Sequence, residues 1–176
     1  PKQRFRDFYI VGIATCAVVS SSGDVAATAS NRIVVTLVLL HLARRYHECA
    51  RVHRSSSSSR MHVAGYALGI VHYLCLPFVL VTTKDGDVTS RDESEIEKGR
   101  AFFFILGCIF FQYQQHRHHL LLANLRARDR SASDPEYSIP IGGWFRFVSC
   151  PHYLSEIMIY FTLAKLGAED DGSETM

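Results

Sequence analysis

The sequence is poor in the features that would make its chemistry easy to classify. Its five cysteines, Cys16, Cys49, Cys75, Cys108 and Cys150, are widely spaced and form no CxxC pair, which excludes a disulfide framework or a zinc knuckle. No sign of charge dominates: nineteen Lys and Arg stand against seventeen Asp and Glu, for a formal net charge of +2. That balance speaks against a nucleic acid partner. Long apolar runs are also few. Only residues 63–83 form a stretch whose single strongly polar side chain is His72, and this stretch meets the length of about 20 residues that a bilayer requires. At 176 residues the chain is one domain's worth of sequence, and its 48% hydrophobic content excludes gross disorder.

What is present is segregated. Shorter apolar runs cover residues 8–22, 33–51, 101–115 and 153–167, and each is short or ends in ionisable residues. A central Arg costs roughly 2.5–3.5 kcal/mol on insertion scales while a Leu returns only about half a kcal/mol, so such helices need neighbours or a polar cavity. The expected fold class is therefore all-α, a polytopic helical membrane bundle of about five spans. Charge bias orients it. Residues 44–60 carry Arg44, Arg45, Arg51, Arg54 and Arg60 against Glu48, and residues 117–130 carry four Arg against Asp129; both segments are expected in the cytosol. Residues 84–100 and the last residues are acidic and are expected on the opposite side. Residues 1–168 read as one membrane domain and 169–176 as a polar tail. The opening PKQRF, without an initiator Met, and that polar close predict a piece of a longer protein. A soluble helical protein with an apolar core is the alternative, because a buried helix also reaches this length. Ser55 to Ser59 read as a loop insertion without chemistry.

Three segments carry candidate chemistry. On a helix advancing ~100° per residue, HLARRYHECARVHR (residues 41–54) places His41, Arg45 and Glu48 on one stripe at the cytosolic end of a span. A base, a guanidinium and a carboxylate are costly beside lipid and should face the bundle interior. The same sequence also reads as a positive-inside flank that holds an Arg–Glu pair. In QYQQHRHHLLLANLR (residues 112–126), Gln112, Gln115, His116, His119 and Arg126 share one arc, a donor set suited to a polyanion such as a dinucleotide phosphate. A metal is not expected, because the HRHH cluster lacks the HxxxH or HxxHH spacing of a histidine box.

The third segment, residues 137–160, reads YSIPIGGWFRFVSCPHYLSEIMIY. Its Pro and Gly residues punctuate a loop that can approach a ligand closely, and Trp144, Phe145 and Phe147 make that loop amphipathic. Pro151 suits the first turn of a helix on which His152 and Glu156 are i, i+4 neighbours. Tyr160, a turn beyond, reads as an interfacial aromatic anchor.

The stretch IPIGGWFRFVSCPHYLSE resembles the loop and following helix of the steroid 5α-reductase family, in which it takes the form IPxGxxFxxVSxxxYxxE. HxxxRxxE followed by VHR is similar to the same family's arm. Within the family, NLR before the loop, LHLARRYHEC, RMH at 60–62 and the loop's WF look most like the polyprenol-reducing branch that serves dolichol synthesis and protein N-glycosylation. The resemblance extends from residue 1 to about residue 163. It implies an NADPH-dependent oxidoreductase acting on CH–CH groups in the endoplasmic reticulum membrane, with a cytosol-facing cofactor cavity and a long-chain polyisoprenoid lipid as substrate. It further implies that His119, Arg126, Tyr137, His152 and Glu156 bind the cofactor. Leu42 takes the place of the tyrosine with which steroid-reducing members polarise a carbonyl, and His152 that of an asparagine. His41, Arg45 and Glu48 are then the catalytic candidates, with His41 as proton donor, since an imidazole is poised for transfer near neutral pH. Hydride needs an electron-poor carbon, so the aldehyde form of the polyprenol is the expected acceptor. A very-long-chain enoyl-thioester reductase, a 3-oxo-steroid 5α-reductase and a non-catalytic truncated membrane protein remain alternatives, the last because the family's final cofactor-contacting segment is absent after residue 168.

Overall fold

The structure is a computed structural model, described here for residues 4–22, 29–52, 61–81, 95–131 and 139–167. Among these residues the regular secondary structure is all helix. Helix α1 spans Phe5–Ser21, α2 Ala29–His47, α3 Val63–Leu80, α4 Glu95–Ser131 and α5 Pro151–Gly167. A π-helical segment, Glu48–Val52, continues α2, and a 3₁₀ turn, Gly143–Arg146, precedes α5. Each of the five apolar runs thus forms a helix, in the expected order. One helix among the described residues, α3, is long and apolar enough to cross a membrane. The acidic stretch 84–94, Ser55 to Ser59 and the tail 169–176 lie outside the described residues.

Local sequence sets the helix ends. Asp7 sits in the first turn of α1, where a carboxylate opposes the helix dipole. His62 caps α3, its Nδ1 accepting from the Ala64 N–H at 3.3 Å. Pro151 opens α5, where its missing N–H has no partner to lose. Helix α4 runs far past its apolar portion because its 37 residues from Glu95 to Ser131 contain no proline and only two glycines, Gly99 near the start and Gly107 at a packing contact.

The helices pack through glycines and aromatic rings. Phe8 on α1 lies over Gly69 of α3 and meets Tyr66 and Tyr73 at ring centroid distances of 5.3 and 6.1 Å. The Tyr66 hydroxyl donates to Asp7 Oδ2 at 3.0 Å, fixing the same pair of helices. Gly12 leaves room for Leu42 of α2, and Gly107 of α4 for Thr162 of α5. The core runs through Phe8, Val34, Val38, Leu42, Cys108, Ile159 and Leu163. Ser30 Oγ closes α2 against α5 by donating to the Leu166 carbonyl at 2.9 Å.

The Gly69 contact yields a test of this packing. A Cβ at residue 69 would stand 2.7 Å from Phe8 Cζ, with Phe8 itself buried and unable to withdraw freely. Gly69→Ala should destabilise the fold by about 1–3 kcal/mol. Gly65→Ala meets nothing within 4 Å and should be neutral or slightly stabilising. Thermal denaturation of the two variants beside the parent chain measures the difference.

Candidate functional site

The site forms where α2 carries its charged residues into the bundle. Glu48 is fully buried, and burying a carboxylate is tolerable only when its lone pairs are filled. They are filled from two helices. Oε1 accepts from Arg44 Nη1 and pairs with His116 Nδ1 at 2.8 Å; Oε2 pairs with Arg45 Nη1 at 2.8 Å and His119 Nδ1 at 2.7 Å. Arg44 and Arg45 sit one turn back on α2, and the histidines come from α4. At Glu48 the backbone widens into the π-helical segment, which re-aims the side chains at the end of α2.

From this centre the polar contacts continue to α5. Arg44 also donates through Nη2 to Gln115 Oε1 and through Nε to Gln112 Oε1 at 3.3 Å. Gln115, itself buried, donates through Nε2 to Glu156 Oε2 at 3.0 Å. Glu156 Oε1 accepts from the Tyr160 hydroxyl at 3.3 Å. His41 joins the same network: Arg44 Nη2 donates to its Nδ1 at 3.3 Å. With Nδ1 accepting, the proton of the neutral ring sits on Nε2, which is buried and makes no hydrogen bond among the described residues. The His41 ring meets Tyr160 edge to face at 5.8 Å.

The predicted residues therefore distribute unevenly. His41, Arg45 and Glu48 lie buried together, with His119 against Arg45 and Glu48. His152 stands 5.7 Å from His119, centroid to centroid, and Glu156 is linked to them through Gln115. Arg126 is exposed, farther along α4 on the His152 side, where its charge acts on the His152 ring. Tyr137 lies outside the described residues. Burial pushes the His152 imidazole below its ordinary pKa, and Arg45 adds to the effect.

Sequence reasoning missed several members. Arg44, also readable as a simple flank residue, reaches Glu48, His41, Gln112 and Gln115. Tyr160 points inward to Glu156 and does not act as an interfacial anchor alone. His118, not singled out before, is buried beneath the glycine loop. The Trp144 N–H donates to His118 Nε2 at 3.4 Å, and the His118 ring packs on Trp144 and Phe145 at 5.5 and 5.7 Å. Gly142 and Gly143 have φ of 110° and 53°, a region that favours glycine, and a Cβ at 143 would touch His118 at 3.4 Å. The loop and α4 are thereby clasped.

Comparison with known sequences adds a second line. The sequence model of a family described as 3-oxo-5-alpha-steroid 4-dehydrogenase matches residues 60–169. Polyprenal reductase from Caenorhabditis elegans is 29% identical over 200 residues, covering 93% of this chain and 63% of its own length. Polyprenal reductase 1 from Oryza sativa subsp. indica is 32% identical over 165 residues, 78% of this chain and 46% of its own. Human polyprenal reductase is 31% identical over 148 residues, 81% of this chain and 46% of its own. The chain thus spans about half the length of most curated relatives it matches. No solved structure matches.

Two outcomes follow from the geometry. Glu48→Gln replaces acceptors by an amide whose NH₂ faces donors and leaves buried guanidinium charge unmatched, so it should cost roughly 3–5 kcal/mol, read as a fall in thermal midpoint. The second concerns the clasp. Burial, and secondarily Arg117, holds the His118 imidazole below its ordinary value of 6.5. The folded chain then binds fewer protons at this residue than the unfolded chain just below that pH. Its contribution is intact above 6.5 and is lost as the pH falls toward the folded pKa. Fluorescence of Trp144, the single tryptophan, should report the loop loosening over that range, and His118→Gln, which keeps an acceptor without titrating, should flatten the response.

Proposed function

The chain belongs to the 3-oxo-5-alpha-steroid 4-dehydrogenase family, also called the steroid 5α-reductase family, and from that premise we propose that it is the core of a membrane reductase. Its reaction saturates the α-isoprene double bond of a long-chain polyisoprenoid, taken as the aldehyde, in dolichol synthesis. The relatives named polyprenal reductase supply the substrate class. The observation that carries the reading is an interior of ionic and hydroxyl groups enclosed by an apolar exterior. Leu68, Val71, Leu74, Phe78 and Val79 of α3 and Phe102, Phe103, Leu106 and Ile109 of α4 all face outward. Lipid is the solvent in which that exterior is stable, so the five helices are read as a polytopic bundle in the endoplasmic reticulum membrane, with the arginine-rich ends toward the cytosol.

NADPH is the reductant by family membership, and the residues present suit it. Guanidinium and imidazole groups are the donors that phosphate and ribose oxygens require, and Arg45 Nε and His152 Nδ1 are buried polar atoms with hydrogen-bonding capacity unused among the described residues. His119, Arg126, His152 and Glu156, with Tyr137, would hold it, and when bound it supplies hydride to the electron-poor β carbon. The remaining work falls to the chain's own groups. His41 presents its Nε2 proton to the carbonyl oxygen, where charge accumulates as the double bond is reduced. Arg44 holds the ring in that tautomer, and the Glu48 cluster holds Arg44 and Arg45. Burial excludes water from the developing enolate.

Reconstitution in nanodiscs with NADPH distinguishes the substrates. Polyprenal should be saturated, while polyprenol without an oxidant and an enoyl thioester should not. His41→Ala should lower kcat by roughly 10²-fold or more with little change in KM for polyprenal. Efficient reduction of the alcohol with no aldehyde formed would refute the reading.

A further inference from the structure

Three tyrosines from three helices cluster in the bundle, one of them against His41, and nothing so far gives them a role. Tyr9 of α1 and Tyr73 of α3 are buried and meet edge to face at 5.2 Å. Tyr73 and Tyr160 of α5 both flank the His72 ring, which brings these phenols together with Tyr9. Tyr160 in turn donates to Glu156 at 3.3 Å. Buried hydroxyls are hydrogen-bonded in native structures, but one partner usually suffices, and three helices each spending a phenol at one point is more than packing needs. A Phe ring would pack equally well at each position.

The surroundings add direction. His72 is exposed on the apolar outer face of α3, yet its ring lies 5.0 Å from Tyr73 and 5.9 Å from Tyr160. It is a polar mark on an apolar surface, flanked by outward-facing Leu68 and Val71. Behind it, Tyr160 meets His41 at 5.8 Å. A lipid whose polar end group entered between α3 and α5 at His72 would reach Tyr160 and His41 together.

Saturating an enal makes two demands on acid groups: one at the carbonyl oxygen and one at the α carbon, two bonds away. His41 answers the first. We infer that Tyr160 answers the second, donating its hydroxyl proton to the α carbon, with Tyr73 and Glu156 as positioning residues and His72 marking the lateral access to the pair. The inference rests on the proposed enal reduction. The balance is as follows. The reduced nicotinamide, when bound, would supply a hydride, a proton with two electrons, to make the β C–H bond, and the C=C pair becomes that of the enolate, whose oxygen His41 hydrogen-bonds without losing its proton. The Tyr160 O–H bond breaks, its proton forms the α C–H bond, and the carbonyl is restored. The phenolate recovers its proton from water before the next turnover.

The same step run backward needs no nicotinamide, which gives a test independent of turnover. A saturated aldehyde held by His41 should exchange its α protons at Tyr160. The full chain in nanodiscs is incubated in D₂O with citronellal, without cofactor, and α-deuteration is followed by NMR. In parallel, carbonyl-¹³C citral reports binding through its downfield shift. The parent chain should shift citral and exchange citronellal. Tyr160→Phe should keep the citral shift and lose exchange by roughly 10²-fold. His72→Phe, outside the proton path, should slow exchange through weaker binding, relieved at higher aldehyde concentration. Parent-like exchange in Tyr160→Phe, or a parent that shifts citral but exchanges nothing, overturns the role of Tyr160 and leaves the reduction reading standing. A parent that neither shifts citral nor exchanges citronellal overturns the reduction reading, and the tyrosine role with it.

Discussion

The arrangement depends on satisfying one buried carboxylate. Glu48 has no solvent to stabilise it, and an unpaired carboxylate in a protein interior costs several kcal/mol. Four groups on two helices answer that demand, with Arg44 and His116 on one oxygen and Arg45 and His119 on the other. Because each oxygen takes one partner from α2 and one from α4, the carboxylate sets the register of those helices as well as their proximity. Gln115 carries the constraint to α5 by accepting from Arg44 and donating to Glu156. Three helices are thus indexed by polar contacts whose distances tolerate little slip, while the apolar contacts around them are less discriminating.

Such indexing matters more in a bundle with an apolar exterior than in one with a polar surface. Where the surroundings are as apolar as the packing face, burial does not by itself drive helices together, and close approach through small residues and polar contacts does the work. Gly12, Gly69 and Gly107 each sit where a neighbouring side chain fills the space of a Cβ, and Arg45 and Glu48 are buried between the helices. The near-zero mean hydropathy of +0.06 is a consequence of this division. It averages apolar outer faces with a buried polar cluster and arginine-rich segments at the helix ends, and so describes neither.

The sequence made much of the helical framework legible, because apolar runs separated by charge clusters leave few other ways to satisfy a backbone. It also placed His41, Arg45 and Glu48 on one stripe, since a regular helix returns to the same face at those intervals. Arg44 escaped because a positive-inside flank already accounts for its charge, although as an i, i+4 neighbour it lies only ~40° from Glu48 on the wheel. The tyrosines escaped for another reason. Tyr9, Tyr73 and Tyr160 are separated by 64 and 87 positions, and no spacing rule connects residues on three helices until their packing is known. His118 was hidden by its neighbours: in HRHH, periodicity favours His119 on the inner face, and only the fold of the Gly142–Gly143 loop back over α4 shows that His118 is enclosed as well.

His41 is where the two halves of the interior meet, and its two nitrogens keep them distinct. Nδ1 belongs to the ionic half, where Arg44 occupies it as an acceptor; Nε2 is buried without a hydrogen bond among the described residues, and the ring meets Tyr160 of the aromatic half. A guanidinium cannot accept a proton, so its hydrogen bond to Nδ1 excludes the other neutral tautomer as well as a doubly protonated ring. The ionic cluster therefore does more than hold helices. By fixing Arg44 it fixes which face of His41 can donate, and a lysine at residue 44, with one rotatable point charge in place of a planar fork, could not hold Glu48, Gln115 and His41 at once. Stability and reactivity at this site rest on the same guanidinium, which ties the chemistry proposed for the aromatic half to a carboxylate it never touches.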